Sequence, residues 1–119
     1  MFRVMCRAKI HNAKVTETKL EYEGSITIDE NLLKEVDILP GEKVEVFNLN
    51  NGARFDTYVI EGKPGSGIIC VNGAAARLAQ VGDRLIIVAY SMVPEAEVRY
   101  FEKKCIAVSR DNKIAKKLE

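Results

Sequence analysis

Strict alternation in the first eleven residues most narrows what this chain can fold into. Phe2, Val4, Cys6, Ala8 and Ile10 fall on one side of an extended backbone, and Arg3, Arg7, Lys9 and His11 on the other, with Met5 the exception. A period of two is the signature of a half-buried strand, and it sets Lys9 and His11 on one face. The pattern recurs in short pieces down the chain. Residues 14–22 continue extended, and Ser25–Ile28 reads as another short strand. Val44–Leu49 and Ala53–Ile60 flank Asn50-Asn51-Gly52, and Asn-Gly is the strongest short hairpin signal. Arg54, Asp56 and Tyr58 then share one face of the second hairpin strand, with Phe55, Thr57 and Val59 on the other. Ile68–Val71, Arg84–Tyr90 and Cys105–Val108 complete the predicted strands.

Helical signals are few. Asp29 is placed to cap a helix over Glu30–Val36, whose Leu32, Leu33 and Val36 form one apolar stripe, and Pro40-Gly41 closes that unit with a turn. Ala74–Ala79 reads as a short helical turn, Pro94 as the start of a loop or short helix, and Lys63–Gly67 as a glycine-rich loop. The lysine-rich end (Lys113, Lys116, Lys117) is expected to fray. Many short strands with small helical insertions argue for a mainly β, compact barrel. With 119 residues and no internal repeat or linker, a single domain over 1–119 is expected.

Charge and composition exclude several functions. Eighteen basic and seventeen acidic side chains leave a net charge of +1, with no basic stripe to hold nucleic acid. The first residues break their apolar run with arginines, and Leu85–Tyr90 is too short to cross a bilayer, so a cytoplasmic location and no membrane partner are expected. Cys6, Cys70 and Cys105 form no C-x-x-C pair and His11 is the only histidine, so no metal site is expected. The cysteines read as small reduced hydrophobes, with Cys70 notable for lying close to Asn72.

The chemistry concentrates in a few blocks. These are Lys9-Ile10-His11, Tyr22-Glu23-Gly24-Ser25, Arg54 with Thr57-Tyr58, and Asn72-Gly73-Ala74-Ala75-Ala76. Taken jointly, in that order and spacing, they resemble the pyruvoyl-dependent aspartate 1-decarboxylases, over the chain to about Tyr90, fading across Ser91–Glu119. The resemblance implies a six-stranded double-psi β-barrel and a homotetramer with sites between subunits. It implies an enzyme made as a precursor that cleaves itself at Gly24-Ser25, giving a chain of 1–24 and one of 25–119. Ser25 would end as a covalently bound pyruvoyl group, the cofactor. The substrate would be L-aspartate and the products β-alanine and carbon dioxide, entering pantothenate and coenzyme A synthesis.

Roles follow by matching position. Gly24, Ser25, Thr57 and Asn72 would serve processing, with Thr57 near the Gly24 carbonyl and Asn72 a second donor. A serine hydroxyl reaches the preceding carbonyl only through a tight bend, which a glycine at 24 would allow. Arg54 would clamp a substrate carboxylate with Lys9 as a second cation, because a guanidinium fork fits carboxylates in pairs. Tyr58 would donate the proton, and Tyr22, Gly73, Ala74 and Ala75 would line the pocket with Asn72. His11 takes a place in the pocket with its role open. A second Gly-Ser pair, Gly65-Ser66, lies in a loop and is assigned no chemistry.

Two departures stand out: Phe47 where many members carry tryptophan, and Asp56 where serine is frequent. Strand alternation also turns Thr57 away from Arg54 and Tyr58. Either the strand is irregular, or a second subunit brings both faces into use. Whether a maturation factor assists cleavage is left open. Two rival readings were weighed, a swapped-hairpin DNA-binding barrel and a serine hydrolase using Ser25. The first wants more positive charge, and the second wants a G-x-S-x-G elbow and a histidine beside the serine.

Overall fold

A computed structural model describes residues 1–118. Alternation becomes strand wherever it was read, with boundaries moved by a residue or a few. The strands are β1 (Phe2–Lys14), β2 (Glu17–Lys19), β3 (Ser25–Asp29), β4 (Lys43–Asn48), β5 (Arg54–Gly62), β6 (Ile69–Asn72), β7 (Arg84–Pro94), β8 (Lys104–Val108) and β9 (Ile114–Leu118). One helix, α1 (Glu30–Val36), and two 3-10 segments, Gly73–Leu78 and Glu95–Tyr100, interrupt them.

Neighbouring strands run in the order β2-β6-β3-β5-β4-β7-β1-β8-β9. Only Val15 and Thr16 separate β1 from β2, so the two are one ribbon that pairs with β7 along one stretch and β6 along the next. Thr16 ties the junction, its backbone N–H donating to the Ile69 carbonyl at 2.8 Å and its hydroxyl accepting from the Ile69 N–H at 3.0 Å. The strip therefore closes on itself as six strands: β1/β2, β6, β3, β5, β4 and β7. Parallel pairs (β2 with β6, β3 with β5) are set among antiparallel ones, the interlocked arrangement of the expected double-psi barrel. Closure removes free sheet edges, and the interior fills with inward residues including Ile10, Ile26, Ile28, Val44, Val46, Ile69, Leu85 and Ile87, all buried.

Helix α1 covers the barrel with Leu32, Leu33 and Val36, and the Asp29 carboxylate caps it by accepting from the Asn31 N–H at 2.8 Å. It ends at Asp37, in left-handed conformation, before the Pro40-Gly41 turn.

The lysine-rich end is the main correction. It does not fray among the described residues: Ile114–Leu118 pairs antiparallel with β8, which itself runs parallel to β1. The cause is Asn112, buried in the turn and left-handed at φ 58°. Its amide donates to the Lys14 and Gly67 carbonyls, both at 2.8 Å, and accepts from the Lys14 N–H at 2.8 Å. Those three bonds pin the β8–β9 turn to the barrel. A second difference lies at the start of β1, where Phe2 and Val4 are exposed beside Met92 because this end of the β1–β7 ladder projects past the core.

Candidate active site

The bond between Gly24 and Ser25 lies where an exposed turn becomes a buried strand. Gly24 is exposed, whereas Ser25 is fully buried as the first residue of β3. Antiparallel pairing sets Ser25 opposite Asn72 and Thr27 opposite Cys70. All four side chains join one hydrogen-bond cluster. The Asn72 Nδ2 donates to Ser25 Oγ at 3.0 Å and to Thr27 Oγ1 at 3.1 Å, and the Cys70 thiol donates to Asn72 Oδ1 at 3.1 Å. Ser25 Oγ in turn donates to the Glu23 carbonyl at 2.9 Å. Burial pushes the Cys70 thiol above its ordinary range, so it stays a neutral donor. Thr27 escaped the sequence reading, although alternation puts it on the Ser25 face.

The glycine that the geometry requires is Gly73. It sits at φ +75°, and a Cβ there would lie 2.6 Å from the Gly24 Cα and 2.8 Å from the Gly24 nitrogen. Gly24 itself has no positive φ and open space around its Cβ position, so the tight bend expected there is absent from this state. Gly73 opens the 3-10 segment that carries Ala74 and Ala75, with Asn72 just before it. Tyr22 is exposed on the turn, its ring 5.8 Å from the Lys19 ammonium and its carbonyl beside Gly73.

Strand β5 alternates as expected: Arg54, Asp56 and Tyr58 are exposed, while Phe55 and Thr57 are half-buried. No bulge interrupts its ladders with β3 or β4, so strand irregularity does not bring Thr57 round to the Arg54 face. The β3–β5 ladder begins at Ile26 opposite Val59, one residue past Ser25 and one past Tyr58. Thr57 and Tyr58 make no hydrogen bond to Gly24 or Ser25 among the described residues. Arg54 begins the strand four residues earlier, its guanidinium stacked 4.0 Å from the Phe47 ring. Asp56 pairs with Lys43 at 3.6 Å, and Tyr90, pushed up to about 12 chiefly by donating to Glu45 at 2.6 Å, shares this outer face.

Lys9 and His11 are not brought to Ser25 within one chain. They lie mid-β1, between β7 and β8, where Lys9 faces Val88 and Cys105. Burial, then Lys9 and Arg84, lower the His11 imidazole below its ordinary value, and its Nδ1 is buried without a partner. Among the described residues His11 makes no hydrogen bond to Ser25, which counts against the hydrolase reading. Among the described residues no group of histidine, cysteine and carboxylate side chains is placed to hold a metal. No helix is long and apolar enough to cross a membrane.

The family model described as aspartate decarboxylase matches residues 1–115. The chain belongs to the aspartate decarboxylase family. The aspartate 1-decarboxylase of Thermoanaerobacter pseudethanolicus is 58% identical over 113 residues, which is 95% of this chain and 97% of that protein. That of Halalkalibacterium halodurans is 52% identical over 118 residues, 99% of this chain and 93% of its own. Two rationally designed proteins of known structure align at a TM-score of 0.46, with 18% and 22% identity over 71% and 66% of this chain and 95% and 93% of theirs, a likeness too slight to bear on function. The aspartate decarboxylase match runs past Tyr90 to residue 115, further than the sequence motifs reach. The physical reason is that β7 continues to Pro94 and β8 docks on β1, so this stretch is part of the fold.

Proposed function

We propose that this chain is the precursor of an enzyme that decarboxylates L-aspartate to β-alanine and carbon dioxide, supplying pantothenate synthesis in the cytoplasm. The observation that carries the reading is the buried Ser25 hydroxyl, hydrogen-bonded to Asn72 and next to the exposed Gly24. The aspartate 1-decarboxylases that are 52% and 58% identical to this chain support the reaction.

Cleavage proceeds through the chain's own groups. Ser25 Oγ leaves the Glu23 carbonyl and attacks the Gly24 carbonyl carbon. Breaking the Gly24–Ser25 C–N bond then turns the amide into an ester. Asn72 orients the hydroxyl, and Thr57, on the strand that pairs with β3, serves the developing oxyanion. Loss of the Ser25 α-proton expels the Gly24 carboxylate. Addition of water to the resulting dehydroalanine releases ammonia and leaves a pyruvoyl group on residue 25.

The site fits that group. Residue 25 is enclosed, and the missing Cβ of Gly73 makes room for the Gly24 backbone beside it. When formed, the group supplies a carbonyl that takes up the electrons freed as carbon dioxide leaves. Tyr58, on the strand that pairs with β3, is the proton donor. Arg54 and Lys9 hold the substrate carboxylates, His11 lines the pocket, and the backbone of Gly73, Ala74 and Ala75 closes it with Tyr22. Because Lys9, His11 and Arg54 make no hydrogen bond to Ser25 or its partners in one chain, a neighbouring copy completes the site, as in a homotetramer.

The deciding experiment is the denatured intact mass of freshly purified protein. A fragment of 1–24 and a fragment of 25–119 lighter by one NH3 than its serine-ended form are expected. A single unbroken mass after warm incubation alone, turning to two fragments on adding cell extract, would assign a maturation factor. Ser25→Ala should abolish both cleavage and activity, and an active Ser25→Ala protein would overturn the proposal.

A further inference from the structure

Away from the Gly24–Ser25 bond, the barrel carries a cleft of about 480 Å³ lined by Asn12, Lys14, Gly82, Arg84, Val108, Ser109 and Arg110. Three cations line it and no anion does. Lys14 and Arg84 are direct cross-strand partners on β1 and β7, a like-charge pairing that costs stability unless something negative sits over it. None of Lys14, Arg84 and Arg110 forms an ion pair among the described residues. The two nearest carboxylates in sequence are already engaged. Asp83 accepts from the Asn48 amide and the Gln80 N–H, both at 2.9 Å, and Asp111 accepts from the Ser109 hydroxyl.

The arrangement is held in place rather than floppy. Asn112 clamps the β8–β9 turn to the Lys14 backbone, which fixes Ser109 and Arg110 against the end of β1. Asn12 stands at a register shift between His11 and Ala13, in left-handed conformation at φ 69°. The cleft thus sets three unpaired cationic donors on a fixed backbone frame.

We propose that this cleft binds a phosphate group, its oxygens on Lys14, Arg84 and Arg110. Arginine forks match phosphate oxygens in pairs. The phosphate is either the free ion or that of a small phosphomonoester. The cleft adjoins His11 through Asn12, and Arg84 is one of the two cations that lower the His11 imidazole.

The test is calorimetric titration of the purified, processed protein at low ionic strength with inorganic phosphate and glycerol 3-phosphate. Saturable phosphate binding is expected, weakened about tenfold by Arg84→Gln and again by Arg110→Gln. Tighter binding of glycerol 3-phosphate marks a metabolite as the ligand, and equal binding marks free phosphate. Since His11 is the only histidine, its ring signal gives a second readout: phosphate should raise its titration midpoint in the parent and not in Arg84→Gln. Phosphate binding that does not saturate, or that is unchanged in folded Arg84→Gln and Arg110→Gln proteins, would overturn the assignment. Loss of decarboxylation in either variant does not enter, so failure of the proposed activity is read separately.

Discussion

The Arg54 guanidinium lies 4.0 Å from the centre of the Phe47 ring, directly across the β4–β5 ladder. Stacking holds the flat face and leaves the edge of the guanidinium, where its N–H donors point, free for a carboxylate. Phe47 therefore positions the residue proposed to hold substrate. Phe47→Leu should raise KM for aspartate about two- to fivefold with little change in kcat, the worth of an exposed cation–π contact. Phe47→Trp should keep or lower KM. Steady-state kinetics of both variants check this, and an unchanged KM in Phe47→Leu would refute the positioning role.

Gly73 is the second sensitive position. A methyl group there meets the Gly24 backbone at 2.6 Å, and the φ of +75° is strained for any side chain. Gly73→Ala should lose about 1–3 kcal/mol of stability and accumulate uncleaved chain. Gly82→Ala is the control, equally strained at φ +96° but open around the added carbon and far from the bond. It should lose stability yet cleave normally, as read by intact mass over time.

Cys70 orients Asn72 through its thiol. Replacing it by alanine leaves a buried carbonyl oxygen without a donor, at about 1–3 kcal/mol, whereas serine restores a donor. Cleavage should slow about tenfold in Cys70→Ala and much less in Cys70→Ser. Equal cleavage rates in the two variants would remove the thiol from the mechanism.

His11 sets a pH dependence. Its folded-state pKa is lowered from 6.5 by burial, then by Lys9 and Arg84, so the unfolded chain binds the proton more readily. The stability this gives is complete above 6.5 and is lost as pH falls through the lower folded value. Urea unfolding should show a loss on acidification that is smaller in His11→Gln. A histidine ring signal titrating above 6.5 would contradict the sign.

Asp29 carries structure rather than chemistry. Its buried carboxylate accepts from the N–H groups of Asn31, Gly65 and Gly67, at 2.8, 3.0 and 2.9 Å, joining the α1 cap to the Lys63–Gly67 loop. Asp29→Ala should cost about 2–4 kcal/mol in denaturant unfolding, while the surviving folded protein still cleaves. That Gly65-Ser66 sits in this loop, both residues exposed, explains why its matching dipeptide carries no reaction: nothing encloses the serine as Asn72 encloses Ser25.

Sequence alone determined what depends on near neighbours. Alternation marked β1 and the two faces of β5, Asn51-Gly52 marked the hairpin, and Asp29 with Leu32, Leu33 and Val36 marked α1, because side-chain period and capping are local properties. The joint spacing of the Lys9, Gly24-Ser25, Arg54 and Asn72 blocks also identified the family. Tertiary structure alone decided which distant pieces touch. Asn72 reaches Ser25 across 47 residues, and Asn112 reaches Lys14 across 98. Both contacts follow from strand register, which barrel closure sets through burial of a whole face at once. For the same reason Thr27 joined the Asn72 cluster, the lysine-rich end became β9, and Lys14, Arg84 and Arg110 met around one cleft. No local period encodes such meetings.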